Sequence, residues 1–90
     1  MNDLFEPPAK LRGKMKDLAM FIRDARLCRT SDVVQWGLDN FYVSAERAAQ
    51  LLAERGYLRR MTDEEVRSYF HRDINQGVWV PTKQLRDANL

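Results

Sequence analysis

Ser44-Ala-Glu-Arg-Ala-Ala-Gln-Leu-Leu-Ala-Glu-Arg-Gly-Tyr-Leu58 is the stretch on which the fold turns. Ala45, Ala48, Ala49, Leu51 and Leu52 favour helix strongly, because alanine and leucine lose little side-chain freedom in one. Ser44 opens the helix as a capping residue, although Arg47 stands where a full capping box would need Glu or Gln. Arg55-Gly56 reads as its stop, since glycine readily takes the left-handed conformation that closes many helices. A helix is therefore expected over Ser44–Arg55, followed at once by an aromatic-aliphatic strand over Tyr57–Met61. Ala48 is small enough for a neighbouring helix to cross closely. Leu52 and Leu58 point to burial against the stripe of the first helix, which leaves Ser44, Arg47, Gln50 and Tyr42 at the outer face and N-terminal end of this one.

Upstream, Leu11, Met15, Leu18, Ile22 and Ala25 recur at spacings of four, three, four and three, one stripe of a helix expected over Lys10–Leu27. Ala19, Phe21 and Leu27 widen its apolar face, Lys14, Lys16, Arg23 and Arg26 lie on the wet side, and Gly13 shifts the ordered start towards Lys14. Cys28-Arg29-Thr30 reads as a short link. Thr30 or Ser31 caps a short second helix, Asp32–Leu38, with Asp32 suited to the helix dipole and Val33, Val34 and Trp36 as its apolar contacts. Gly37, Asp39 and Asn40 are turn formers in quick succession, so the turn is expected at Gly37–Phe41.

Downstream, Thr62-Asp-Glu-Glu65 is a proper capping box with Val66, Tyr69 and Phe70 as a helical stripe behind it, predicting a fourth helix over Asp63–Arg72. Asn75-Gln-Gly77 is a turn, Val78-Trp-Val80 a second strand closed by Pro81, and Thr82 a cap for a last fraying turn. Either a strand hairpin carries an inserted helix, or the two strands do not pair. The expected layout is a flexible tail over 1–9, broken by Pro7-Pro8, a folded domain over 10–82 and a second tail over 83–90.

Ninety residues, 44% hydrophobic and 31% charged, suit one folded domain of modest stability. Cys28 and His71 are the only residues of their types, and neither has a partner spaced for zinc, so no metal and no cofactor are expected. There is no glycine-rich phosphate loop and no nucleophile paired with a base, which argues against an enzyme. Asp63, Glu64 and Glu65 have a sufficient role as charges at a helix N-terminus. No apolar run approaches the roughly 20 residues needed to span a membrane, and the first residues lack the layout of a signal peptide, so a cytoplasmic protein is expected. The formal net charge is +2, with the first thirty residues basic and the last thirty slightly acidic.

From Arg29 to Met61 the order is cap, short helix, turn, longer helix, glycine, strand. This order, with Ser44-Ala-Glu-Arg-Ala-Ala-Gln-Leu-Leu-Ala-Glu-Arg-Gly-Tyr-Leu58 at its centre, resembles the second half of winged helix-turn-helix regulators, over about half the chain. The resemblance implies a mainly α fold with a small β-hairpin, a winged helix-turn-helix with three core helices. A plain wing has only a short loop, and the helical reading of Thr62–Gly77 adds an extra helix between the wing strands. It implies a small DNA-binding protein, a transcriptional regulator of bacterial or phage type, working as a homodimer on double-stranded DNA with Ser44–Arg55 in the major groove. Arg47 then suits guanine, Gln50 adenine and Ser44 phosphate, while Arg59 and Arg60 sit at the base of the wing near the flanking backbone. The alternative is a protein-interaction module on the same scaffold, without DNA binding, using Tyr69, Phe70 and Trp79 as its interface. The near-neutral charge, with Glu46 and Glu54 on the same helix, favours that alternative.

Overall fold

In the computed structural model, which describes residues 11–90, the chain runs α1 (Gly13–Ala25), β1 (Cys28–Arg29), α2 (Thr30–Asp39), α3 (Ala45–Glu54), β2 (Leu58–Arg60), α4 (Asp63–Phe70), β3 (Val78–Pro81) and α5 (Lys83–Arg86). The expected tail over 1–9, and Lys10 at the expected start of the first helix, lie outside the described residues. The domain is mainly helical, with one small antiparallel sheet in the order β1-β3-β2.

The apolar stripe of α1 delivers Leu18, Ala19 and Ile22 to the core, all with no solvent exposure. Ala25 ends the helix and is exposed, so it does not extend the stripe as expected. Fully burying a side chain such as Leu18 or Ile22 contributes about 1.5–3 kcal/mol, which is why these few positions fix how α1 lies. Val33 from α2, Ala45, Ala48, Ala49 and Leu52 from α3, and Cys28, Leu58 and Trp79 from the sheet complete the same cluster.

The second helix departs from expectation at both ends. Thr30 and Ser31 belong to the helix instead of capping it; Arg29 is the N-cap, and the Asp32 carboxylate accepts its backbone N–H at 2.9 Å. Gly37 is not a turn residue but a buried helical one, and α2 continues through Asp39. The reason is steric: a Cβ on Gly37 would collide with the Tyr42 carbonyl oxygen and lie 2.7 Å from the Ala45 methyl. The glycine is what lets α2 and α3 cross closely, a role the sequence reading gave to Ala48.

Cys28-Arg29, expected as a plain link, is an edge strand. Cys28 pairs with Trp79 and Arg29 with Val78, and the Thr30 N–H continues the ladder to the Gly77 carbonyl at 2.9 Å. On the other side of β3, Leu58 pairs with Pro81, Arg59 with Val80 and Arg60 with Trp79. The two expected strands therefore do pair, and α4 is inserted between them. One face of the sheet carries Cys28, Trp79 and Leu58 into the core; Val78 points to the other face, where it lines a shallow groove with Val66 of α4.

The segment expected as a C-terminal tail also belongs to the fold. Thr82 accepts the Leu85 N–H, as its capping role requires, and Leu85 of α5 is 0% exposed within the core. The Thr82 hydroxyl also donates to the Gly56 carbonyl at 2.6 Å, which ties α5 to the end of α3. Leu90 packs on the same cluster.

Candidate nucleic-acid interface

The alanines that turn α3 inward decide what it turns outward. With Ala45, Ala48, Ala49 and Leu52 buried, Ser44, Glu46, Arg47, Gln50 and Glu54 are exposed. Arg47 and Gln50 make no side-chain hydrogen bond or ion pair with any other described residue. Ser44 occupies the N-cap, but its side chain accepts no hydrogen bond from the helix. The backbone does part of that work instead, with the Ala45 N–H on the Tyr42 carbonyl at 3.2 Å. The outer face of α3 thus presents a hydroxyl, a guanidinium and a carboxamide that no described side chain engages. Glu46 stands beside them in the first helical turn.

Arg59 and Arg60 do not act as a pair. Successive strand residues point to opposite faces, and each arginine has its own engagement. Arg59 holds Glu65 through two hydrogen bonds of 2.9 and 3.0 Å. That contact, together with the Thr62 N–H, lowers the Glu65 carboxyl to about 2 and raises the Arg59 guanidinium above its ordinary value. Arg60 lies over the Trp79 ring, 4.7 Å from its centroid, and close to Gly77 and Thr30. This places Arg60 by the N-terminus of α2, whereas Ser44 and Arg47 follow its C-terminus. Ten helical residues separate the two ends of α2, about 15 Å at 1.5 Å per residue.

The three aromatics expected at an interface divide. Trp79 is 2% exposed and part of the core, so it offers no surface; its indole Nε1 is buried with no hydrogen-bond partner among the described residues. Alternation along β3 sends Trp79 to the core face of the sheet, the face it shares with Cys28 and Leu58. Tyr69 is exposed and meets the half-buried Phe70 edge-on with ring centroids 5.0 Å apart.

The sequence reading missed a different apolar surface. Val34, Leu38, Phe41 and Val43 are all exposed, the last two at 93% each. Val34 and Leu38 stand four apart on the outer side of α2, and Phe41 and Val43 lie in the loop that leads into α3. The alternation Phe41-Tyr42-Val43 holds the signal: Tyr42 turns in to meet Trp36 edge-on at 6.3 Å, and its neighbours are turned out. Trp36 in turn stacks on Phe21 of α1 at 5.8 Å.

Cys28 is buried, and burial, helped by the Asp32 charge, raises its thiol to about 11. A protonated, enclosed thiol is a packing residue rather than a nucleophile. Among the described residues no helix is long and apolar enough to cross a membrane. No family model, no curated protein and no solved structure matches this chain.

Proposed function

We propose that this domain is a winged helix-turn-helix protein that binds double-stranded DNA through the outer face of α3, as a small transcriptional regulator. The observation that carries the reading is that Ser44, Arg47 and Gln50 share one exposed helix face and make no side-chain hydrogen bond or ion pair among the described residues. A side chain already held by an ion pair must break it to reach a base; these three need not. Arginine can take guanine, and glutamine adenine, through paired hydrogen bonds in the major groove. The element order supports the reading too: helix, strand, two helices, then two paired strands, with the sheet ordered β1-β3-β2. In this reading Arg60, near the opposite end of α2, serves the phosphate backbone that flanks the site. Arg59 contributes less to this surface, because Glu65 holds it.

The test is selection of a binding site from a random duplex library, followed by titration with the Arg47→Ala, Gln50→Ala double variant. Each lost bidentate base contact costs about 1–3 kcal/mol of discrimination, so site preference falls at least tenfold while the helical circular dichroism stays that of the parent. Unaltered preference in the variant refutes the role of α3. A second reading, a protein-interaction module, is favoured by the exposed Val34, Leu38, Phe41 and Val43 rather than by Tyr69, Phe70 and Trp79. Failure of the library to enrich any sequence, with no retention on duplex at low salt, selects that reading.

A further inference from the structure

Five cationic side chains from three elements line one open groove of about 700 Å³: Arg23 and Arg26 from the end of α1, Arg59 from β2, and Lys83 and Arg86 from α5. Among the described residues no acidic side chain shares the lining. Asp24 stands 3.9 Å from Arg23, Glu65 is bound to Arg59, and Asp87 lies 2.7 Å from Lys83. All three carboxylates lie outside the groove wall. Setting those three acids against the five cations leaves two positive charges at the groove. The groove therefore carries a local excess of positive charge, on a surface other than the outer face of α3.

The groove also holds its cations in place. Arg86 donates to the Pro81 carbonyl at 2.9 Å and Arg23 to the Ala88 carbonyl at 3.3 Å, so backbone carbonyls steer both guanidinium groups. Arg26 and Arg86 have no ion-pair partner among the described residues. Val80 and Pro81 of β3 supply apolar surface between the charged walls. An enclosed site for a small anion gathers backbone N–H groups around one point. Here the donors are long side chains spread along an open channel, the arrangement that tracks a polymer of phosphates.

We infer that this groove binds the phosphodiester backbone of a nucleic acid, independently of sequence, as a second contact surface beside α3. The inference rests on the nucleic-acid reading above for its choice of polyanion, but it uses none of the residues on α3. The groove supplies the electrostatic, salt-sensitive part of binding, and α3 supplies the sequence preference. This division accounts for a recognition helix that carries two glutamates.

The experiment is fluorescence anisotropy of the full chain with a duplex of random sequence over a range of salt concentrations. The variant is Arg26→Gly with Arg86→Gln. Arg26 has φ 68°, a left-handed conformation in which glycine is at ease, so the charge is removed without loading the fold; thermal melting checks this, and Arg26→Lys with Arg86→Lys restores the charges. Removing two phosphate contacts makes the slope of log K against log salt shallower by about two, and the lysine variant recovers it. Site preference reads α3 and the salt slope reads the groove, so unaltered preference in the Arg47→Ala, Gln50→Ala variant sinks the α3 reading alone, and an unaltered slope in the Gly/Gln variant sinks the groove alone. A slope in the Gly/Gln variant equal to the parent's overturns the inference, as does a parent that shows no salt-dependent binding. Inorganic tripolyphosphate competing as strongly as duplex, with no dependence on duplex length, overturns the assignment to a nucleic acid in favour of a small polyphosphate.

Discussion

Phe41 and Gly56 occupy equivalent positions at the ends of α2 and α3. After α3, the Gly56 N–H bonds the Ala53 carbonyl at 3.0 Å and the Tyr57 N–H the Leu52 carbonyl at 2.9 Å; after α2, the Phe41 N–H bonds Leu38 at 3.4 Å and the Tyr42 N–H bonds Gly37 at 2.7 Å. Both are the same closing motif, whose central residue must be left-handed, and φ is 85° at Gly56 and 56° at Phe41. Glycine takes that conformation without strain; for a side-chain-bearing residue it costs about 1–2 kcal/mol. Phe41 bears this cost with 93% of its surface in solvent, so the fold gains nothing from the ring. Replacing Phe41 with Gly is expected to raise stability by about 0.5–1 kcal/mol once the greater freedom of an unfolded glycine is deducted. Urea denaturation measures it, and an unchanged or lower midpoint would mean that the ring is packed in solution. Gly56 was legible because Arg-Gly after a helical run is a stop. Phe41 was not, because the glycine that turn preferences pointed to, Gly37, is occupied by the close crossing of two helices, a tertiary demand with no local signature.

At the level of elements, α4 shows how far a local signal reaches. The Thr62–Glu65 spacing identified the capping box, and both of its hydrogen bonds form, at 2.9 and 3.1 Å. The second partner of Glu65 was not legible, since Arg59 meets it only through the path of the chain from β2 into α4. One carboxylate thus ties a strand to the helix that follows it. The folded carboxyl sits at about 2, below its ordinary 4.5. A lowered carboxyl stabilises the fold above its unfolded value and loses that contribution as pH falls towards its folded value. Stability is therefore expected to decline as pH falls from about 4.5 to about 2, and Glu65→Gln to flatten that part of the profile. Thermal melting against pH checks this: the variant melts below the parent at neutral pH and converges with it in acid. Parallel profiles would mean that another carboxylate governs the decline.

For the whole molecule, the sequence marked the helices more clearly than it marked what joins them. Periodicity identified α1, and composition identified α3. Leu85 escaped because a single leucine among Lys83, Gln84, Arg86 and Asp87 has no period to reveal it. β1 escaped because two residues are too few to alternate. Both are needed to close the core: β1 covers one edge of β3, and Leu85 is 0% exposed beneath α5. Leu85→Ala is expected to cost about 2–5 kcal/mol, a large part of the 5–15 kcal/mol typical of a domain. A drop in the denaturant midpoint at unchanged slope measures it; a loss under 1 kcal/mol would make 83–90 the dispensable tail that the sequence suggested. The insertion between β2 and β3 has a consequence of another kind. Strand pairing at Leu58–Pro81 and Arg60–Trp79 closes a long connection, and α4 buries only Val66. The entropy of closing a connection grows with the logarithm of its length, so doubling it costs only about 0.6 kcal/mol. This connection is therefore where the chain can be lengthened, or can accept another domain, with little change to the core beneath it.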